Sequence, residues 1–485
     1  MGRSELSAEH GKKAKALRPR RVKPLSTEGS LAPKLTPGRD SARPVKEQPN
    51  PWVDGDPAFR RICAAVDAAR FSVWVTVAFL EPRFRMPDGR SFFEVLDGAQ
   101  ARGLDVRVLF WRHVLLATIS PDAHFAGTEK DRTFLAARDT RWLARWDQAE
   151  GRYCQHQKSW LIDAGQESEI AFIGGINLNN DSVVVPGHPR LNDRANTHDV
   201  YVEVRGPAAT DVHHNFAQRW NEASDRSVVD GSWPPSSSGS VLEFPRRVSP
   251  PAGEAVVQIQ RTVRRGRYSD GTATPGGKTF AIAEGEYSII DQYVRAITAA
   301  ERTVYLEDQA IGSPEIVAAL DAALERGVDV ALLVPLDPNR EMAAARTNPE
   351  TQRFWDSLAA LGRHDRFVLA GLAGSNDAGE YHHVYIHAKI ALIDDGWCTI
   401  GSANLGNRSF FGDTELNASI WCEAIVRDLR HQLLLEHLTV DSAAMTDRDA
   451  FARYRAIAHQ NAARRAAGKR LEGLAIAIDP STYAM

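Results

Sequence analysis

The spacing of apolar residues alternates along the chain between a helical period and a strand-like period. Apolar residues three and four apart predict an amphipathic helix over 56–70, and the β-branched and aromatic run FSVWVTVAFL (71–80) predicts a strand. A second helix is predicted at about 91–102, followed by a strand over 104–111. Because the first of these strands is too apolar to have one face in water, we expect a sheet that is covered on both faces.

The same order of helices and strands returns in the second half of the chain. A helical pattern at 287–300 precedes an apolar run, and ERGVDVALLVP (325–335) repeats ARGLDVRVLFW (101–111) in its turn glycine, its aspartate and its hydrophobic strand. We interpret this as an internal duplication of a βα-type unit. Helices between strands predict an α/β fold with largely parallel or mixed sheets.

Composition and pattern divide the chain into five parts. They are a disordered basic arm (1–51), a first half (52–229), a Pro/Ser-rich linker (230–255), a second half (256–445) and a C-terminal helical tail (446–485). The first 50 residues contain 12 Lys and Arg against 5 Asp and Glu, a net charge of +7, so the other 435 residues sum to −10. We expect the arm to be either a solvated tail or an electrostatic tether to anionic lipid or nucleic acid.

The overall charge is close to neutral, at −3 for 485 residues, which does not favour binding of nucleic acid through bulk positive charge. The four cysteines are scattered without a paired spacing, so we expect reduced core thiols. No zinc-ligand spacing, EF-hand loop or Walker loop occurs in the sequence, and we expect no metal and no cofactor. No apolar run has the length of a signal peptide or a membrane span, which predicts a cytoplasmic or peripheral membrane protein.

One polar motif occurs twice, in YCQHQKSWLIDAG and in VYIHAKIALIDDG. Each copy has a histidine, a lysine two residues later and an aspartate after four intervening residues, and the copies are 231 residues apart. The residues are His156, Lys158 and Asp163 in the first copy and His387, Lys389 and Asp394 in the second. Each copy precedes a glycine turn that ends in an asparagine, Asn177 or Asn404. Because residues two apart on a strand point to the same face, we expect each His–Lys pair to face one pocket.

This duplicated HxKxxxxD signature resembles that of the phospholipase D superfamily, and both copies match it without substitution. The stretches HDVYVEVRGPAATDVHHNFAQRW (198–220) and YLEDQAI (305–311) are similar to further parts of the family sequence. The resemblance implies a duplicated phospholipase D-like αβα sandwich with mixed sheets, whose halves are related by a pseudo-twofold axis. It also implies an active site at the junction of the halves, so that one chain forms a complete site as a monomer.

By this resemblance, one neutral histidine attacks the phosphorus atom of a phosphodiester and forms a phosphohistidine, while the other, protonated, gives its proton to the leaving alcohol. The resemblance favours His156 as the nucleophile and His387 as the acid, and the sequence leaves that order open. Cations and hydrogen-bond donors are needed around the charged transition state. The phosphate-binding groups that we expect are the lysines and asparagines of the two motifs, Lys158, Lys389, Asn177 and Asn404.

Four acidic residues and one glutamine complete the predicted site. Aligning the strands after the two glycine turns pairs Asp199 with Glu415, and we expect these carboxylates to orient the two histidines. Asp163 and Asp394 belong to the catalytic motif, and because they follow apolar strands we expect them to brace the site and not to touch phosphorus. Gln309, within YLEDQAI, is a candidate substrate contact by resemblance.

The resemblance leads us to expect a phospholipase D-type phosphodiesterase at a membrane surface. Such a hydrolase converts phosphatidylcholine or a related phospholipid to phosphatidic acid and the free head group, with water or an alcohol as acceptor and transphosphatidylation as a second outcome. One alternative is a cardiolipin synthase-like phosphatidyltransferase, although such members usually carry N-terminal membrane helices. A nuclease or another phosphodiesterase is a further alternative, and so is a catalytically silent module that binds membrane surfaces or nucleic acid.

Overall fold

The computed structural model describes residues 48–113, 124–138, 142–149, 151, 153–189, 196–223, 241–375 and 380–485. Residues 1–47 of the predicted basic arm and 230–240 of the predicted linker lie outside these ranges. Within them, no helix combines the length and the apolar character needed to cross a lipid bilayer.

The first half contains eight strands in its described residues, and several of its helices lie between them. The strands are β1 (Gln48–Val53), β2 (Ser72–Val77), β3 (Asp105–Arg112), β4 (Leu143–Gln148), β5 (Ser159–Ile162), β6 (Ile170–Gly174), β7 (Asn196–His198) and β8 (Val200–Arg205). The helices are α1 (Gly55–Ala68), α2 (Phe92–Ala101), α3 (Glu129–Ala137) and α4 (Pro207–Asn221).

The second half follows the same plan with additions at its end. The strands are β9 (Val256–Val263), β10 (Glu286–Tyr287), β11 (Thr303–Glu307), β12 (Asp329–Leu333), β13 (Phe367–Ser375), β14 (Tyr381–Ile386), β15 (Ile390–Ile393), β16 (Trp397–Gly401), β17 (Glu415–Trp421) and β18 (Ala475–Ile478). The helices are α5 (Ser288–Ala299), α6 (Pro314–Glu325), α7 (Arg340–Thr347), α8 (Gln352–Leu361), α9 (Asn407–Phe411), α10 (Glu423–Leu438) and α11 (Asp447–Ala466).

Two sheets share one strand order. The first has the order β1-β8-β6-β5-β2-β3-β4, and the second has β10-β9-β17-β16-β15-β11-β12-β13-β14-β7, with β18 paired to β13. Strands β8-β6-β5-β2-β3-β4 correspond one for one to β17-β16-β15-β11-β12-β13. In each sheet the last three of these strands are parallel, and the strand before them is antiparallel. The predicted duplication and the mixed α/β fold are confirmed.

The turns and helix starts of the two halves are stabilised by similar residues. Gly103 and Gly327 end the helix turns before β3 and β12 with φ of 85° and 84°, a left-handed conformation that favours glycine. Helix α2 begins at a capping box between Ser91 and Glu94. Helix α6 begins with Ser313 as its cap and proline at the next position.

The two halves share one hydrophobic core. It contains Ile173 and Val202 from the first sheet, Ile400 and Ala418 from the second, and buried residues of α4, α10 and α11. Helices α1 and α2 cover the other face of the first sheet, and α5, α6 and α8 cover that of the second. Because both inner faces are buried together, the loops at their shared edge are held in a defined relationship.

Two segments depart from the predicted boundaries. Residues 48–51, predicted as part of the disordered arm, belong to β1, which pairs antiparallel with β8. The C-terminal part, predicted as a helical tail, contains α11 and then β18, which pairs antiparallel with β13. The apolar run Ala475–Ile478 thus adds a strand to the second sheet. Its first two residues are buried there.

Candidate active site

The two His–x–Lys motifs lie in short irregular segments where the halves meet. His156 and Lys158 directly precede β5, and His387 and Lys389 lie between β14 and β15. The expectation that these pairs lie within strands is therefore wrong. The reason is that each histidine backbone bonds across to another segment: His156 N donates to Thr414 O at 3.0 Å, and His387 N donates to His198 O at 2.8 Å.

The histidines are held crosswise by carboxylates of the opposite half. His156 Nδ1 lies 3.0 Å from both carboxylate oxygens of Glu415, and His387 Nδ1 lies 2.5 Å from Asp199 Oδ2. Both carboxylates are fully buried. A carboxylate at Nδ1 holds the ring in the tautomer that leaves Nε2 as the reactive nitrogen. Asp199 and Glu415, the expected orienting carboxylates, therefore lie beside the histidines. Glu415 contacts His156, and Asp199 contacts His387.

The two carboxylates are supported differently. Ser402 donates its hydroxyl to Glu415 Oε2 at 2.6 Å. Gly175 occupies the matching position of the first glycine turn, where a Cβ atom would lie 2.3 Å from Asp199 Oδ1. The longer Glu415 thus has room for a serine beside it, whereas Asp199 occupies the space that a side chain at position 175 would need.

The lysines of both motifs are almost completely buried. Lys158 Nζ donates to His156 O at 2.8 Å and lies over the ring of Phe79, 5.9 Å from its centroid. Lys389 Nζ donates in the same way to His387 O. Burial lowers the pKa of Lys158 to about 8 and also lowers that of Lys389. The buried carboxylates of Asp199 and Glu415 lie near both ammonium groups and partly offset the effect of burial. The two lysines are positive charges that a phosphate in this site could use.

Burial also keeps the two histidines neutral. Burial, Lys158 and Lys389 together hold the pKa of His156 well below its ordinary value. Burial and Lys389 lower the pKa of His387 to about 3. Since both lysines act on His156, the two motifs form one electrostatic site. Each neutral ring therefore offers the lone pair of its Nε2 atom as a nucleophile or a base.

The asparagines of the two glycine turns lie at the same place. Asn177 Nδ2 is 3.4 Å from His387 Nε2, so the first turn reaches the histidine of the second motif. The side-chain oxygens of Asn177 and Asn404 are buried and have no hydrogen-bond partner in the described residues. Such oxygens can accept the proton of a hydroxyl group.

The motif aspartates, predicted among the catalytic residues, lie at the far ends of β5 and β15. Asp163 Oδ1 accepts the backbone N–H groups of Arg70, Phe71 and Ser72. Asp394 accepts those of residues 301–303 in the same way. Asp163 lies five residue steps beyond Lys158 along an extended chain, roughly 16 Å. These carboxylates brace the chain where β2 and β11 begin, as their position after apolar strands indicated. Their place in the catalytic motif therefore does not bring them into contact with the histidines.

One acidic residue near the site was not singled out from the sequence. Asp308 directly follows β11 and accepts the backbone N–H groups of Ala310 and Leu405 at 2.7 and 2.9 Å. Burial raises its pKa to about 8, and Lys389 opposes this shift. Gln309, the predicted substrate contact, is half-buried beside it. The sequence could have indicated Asp308, because it lies in YLEDQAI directly before Gln309.

A buried polar network fixes one side of the site. Gln157, between the histidine and the lysine of the first motif, donates Nε2 to Glu415 O at 3.0 Å. Its Oε1 atom accepts from Asn215 Nδ2 at 2.9 Å and from Arg219 Nη1 at 3.1 Å. The second motif has Ala388 at the matching position. Gln157 therefore positions the segment that contains Glu415. The sequence could have indicated this role, because a polar residue occurs there in an otherwise buried segment.

Comparisons with known proteins identify the family of this chain. A family model described as phospholipase D matches residues 182–335, and a model described as cardiolipin synthase, PLD-like domain, matches residues 293–434. The chain belongs to the phospholipase D superfamily. It is 26% identical over 392 residues to cardiolipin synthase A of Pseudomonas putida, which covers 80% of this chain and 66% of the relative. It is 28% identical over 276 residues to cardiolipin synthase 1 of Staphylococcus epidermidis, covering 57% and 45%.

The chain thus spans less than two thirds of the length of these curated relatives. Among solved structures, phosphatidylserine synthase of Haemophilus influenzae matches with a TM-score of 0.53 and 12% identity, over 80% of this chain and 86% of that one. This likeness confirms the fold.

The relatives correct the expected reaction. They are cardiolipin synthases, which build phospholipids, so the expected hydrolytic, degradative phospholipase D is wrong. The comparisons support a phospholipase D-superfamily enzyme of lipid metabolism. The motif could not make this distinction, because the same phosphohistidine forms whether water or an alcohol attacks it next.

Proposed function

We propose that this phospholipase D-superfamily protein is a phosphatidyltransferase of the cardiolipin synthase type. It transfers the phosphatidyl group of one phospholipid to a hydroxyl group of another. The observation that supports this most directly is the crosswise pair His156–Glu415 and His387–Asp199, which places two neutral imidazoles in one buried, lysine-lined site.

In the first step, Nε2 of His156 attacks phosphorus, a P–N bond forms and the P–O bond to the leaving alcohol breaks. His387 gives its proton to the oxygen that leaves. The bound phosphodiester anion favours the protonated form of His387, because an opposite charge raises the pKa of a histidine. Lys158 and Lys389 stabilise the charge that develops on the phosphoryl oxygens.

In the second step, His387 takes the proton of the incoming hydroxyl group. The acceptor oxygen attacks phosphorus, the P–N bond breaks and neutral His156 is restored. With phosphatidylglycerol as both donor and acceptor, the products are cardiolipin and glycerol.

Two features of the site support an alcohol as acceptor. The reacting histidines are only 6% and 8% exposed, so bulk water has little access to them. The unpartnered oxygens of Asn177 and Asn404 can accept from a hydroxyl group and hold it in line with phosphorus. The names of the curated relatives point to the same class of reaction.

The test is incubation of the purified full chain with phosphatidylglycerol vesicles, with lipid products identified by mass spectrometry. We expect cardiolipin and glycerol, and their loss in both H156A and H387A. The matched control is H364A, because His364 is paired with Asp321 on another part of the fold. Formation of phosphatidic acid without any transfer product, even with excess alcohol acceptor, would contradict the proposal.

The order of the two histidines has its own test. H387N removes the acid of the first step as well as the base of the second, so the donor in this test is phosphatidyl-p-nitrophenol, whose leaving group departs without a proton. We then expect a phosphatidyl adduct to accumulate on the peptide that contains His156. We expect no adduct in H156N. An adduct on His387 in the H156N variant would reverse the two roles.

A further inference from the structure

A second cluster of ionisable side chains lies behind the active site and takes no part in the proposed reaction. We call it the His188 cluster, and it consists of Asp54, His188, His198 and Glu436. Asp54, His188 and His198 are 0% exposed, and the side chain of Glu436 is 3% exposed. Asp54 precedes α1, His198 ends β7 and Glu436 belongs to α10, so the cluster joins elements of both halves.

The four side chains point their ligand atoms at one another. His188 Nε2 lies 3.4 Å from His198 Nδ1, and both nitrogens lie close to Glu436 Oε1, at 2.8 and 3.6 Å. The two oxygens of Asp54 lie 3.0 Å from His198 Nδ1 and 3.5 Å from His188 Nε2. Ligands at zinc-like distances on a tetrahedron are roughly 3.3 Å apart. The observed spacings of 2.8–3.6 Å bracket this value and allow one cation to lie among the four side chains.

We propose that the His188 cluster binds one divalent cation of the zinc class. Two imidazole nitrogens and two carboxylates are a ligand set that Zn²⁺ accepts, and the two carboxylates neutralise its charge. Among the described residues, Asp54 Oδ2 and Glu436 Oε2 are buried without a hydrogen bond, and Asp54 Oδ2 lies 3.5 Å from His188 Nε2. A cation would bind these oxygens, and it would accept the lone pairs of His188 Nε2 and His198 Nδ1, which face each other.

The surroundings of the cluster resemble the outer shell of a metal site. His198 Nε2, on the far side of the ring, lies 2.9 Å from Glu307 Oε2. Glu307 also accepts from the hydroxyl of Tyr305 at 2.6 Å. A carboxylate at the second nitrogen of a ligating histidine fixes the tautomer and orients the ring toward the metal.

The cation would be a positioning element for the catalytic histidine. His198 O accepts the backbone N–H of His387, and Asp54 N donates to Asp199 O at 2.8 Å. Two cluster residues are thus bonded directly to the His387–Asp199 pair. A cation that joins Asp54 and His198 to Glu436 holds that pair in place, without contact to the substrate.

The experiment uses the purified full chain and measures metal directly. Metal content is determined by mass spectrometry, the chain is then stripped with a chelator, and Zn²⁺ is returned in a calorimetric titration. We expect one tightly bound ion per chain, and a higher Tm with Zn²⁺ than after stripping. Co²⁺ in its place should show the strong visible absorption of tetrahedral coordination.

Variants locate the ion. H188A and E436Q should each lose the high-affinity site and the Zn²⁺-dependent rise in Tm, whereas H364A, a histidine bonded to Asp321 elsewhere, should keep both. Failure of the stripped wild-type chain to bind Zn²⁺ would overturn the proposal, and so would unchanged binding in H188A and E436Q. If both variants fail to fold, the Co²⁺ spectrum of the wild type decides, because a weak octahedral spectrum excludes this ligand set. The readouts are metal binding and Tm and not lipid transfer, so this test is independent of the test of the proposed function.

Discussion

Asp199 Oδ2 lies 2.5 Å from His387 Nδ1, although 188 residues separate them along the chain. Glu415 and His156 repeat the relationship in the opposite direction across 259 residues. Each half of the duplicated fold therefore supplies the carboxylate that the histidine of the other half requires. Neither half holds its own histidine in this way.

The crosswise pairs predict that both carboxylates are needed for turnover. In D199N and E415Q an amide that can also donate replaces an acceptor-only carboxylate. The tautomer of the ring is then no longer fixed and its charged form loses a negative partner, so kcat should fall about 10²- to 10⁴-fold. The measurement is the initial rate of lipid transfer on vesicles. The control is D337N, whose carboxylate pairs with the exposed ring of His383. Near-normal rates in both buried variants would show that the carboxylates do not orient the histidines.

The glycine turns predict an asymmetry between the two halves. A Cβ atom at position 175 would collide with Asp199, and displacement of that carboxylate should lower kcat about 10²-fold in G175S. S402A removes one hydrogen bond to Glu415, which should cost about 1–2 kcal/mol in the transition state, or about 5- to 30-fold. Rates are compared under the same lipid conditions, with folding checked by circular dichroism. If kcat fell as much in S402A as in G175S, or more, the close contact between position 175 and Asp199 would not limit turnover.

The buried lysines predict how anion binding depends on pH. Lys158 has a pKa of about 8 because burial disfavours its charged form, so its positive charge is lost as the pH rises through that value. Affinity for sulfate, whose own charge is constant in this range, should therefore fall between about pH 7 and pH 9. In K158R the guanidinium keeps its charge, and the fall should move to higher pH. Calorimetric titration measures both, and identical profiles for the two proteins would reject the assignment.

The motif aspartates predict a loss of stability and not of chemistry. Asp163 accepts three backbone N–H groups and has a φ of 54°, a left-handed conformation that alanine disfavours. D163A should lower the free energy of unfolding by about 2–4 kcal/mol, with kcat per folded molecule unchanged. Urea denaturation measures this, with D356A as control because Asp356 bonds only within an exposed helix turn. A stable D163A with greatly reduced kcat would restore a catalytic role.

Much of this fold could be predicted because its signals are local. The periods of apolar residues placed helices α1, α2 and α5 and strands β2, β3 and β12 within a few residues of their positions. The motif spacing identified the histidines and lysines. Strand boundaries near the site were missed, because His156 and His387 leave the ladder to bond to the opposite half.

The sequence alone reveals the duplication, the histidine and lysine that each copy supplies for phosphate chemistry, and the equivalence of Asp199 and Glu415. The folded structure is needed to pair Asp199 with His387 and Glu415 with His156. It is also needed to bring together the cluster behind them, Asp54, His188, His198 and Glu436. This difference arises because hydrophobic periodicity reports which face of each element is buried. The contacts between elements depend on how two sheets pack through one shared core, and no local pattern encodes that packing.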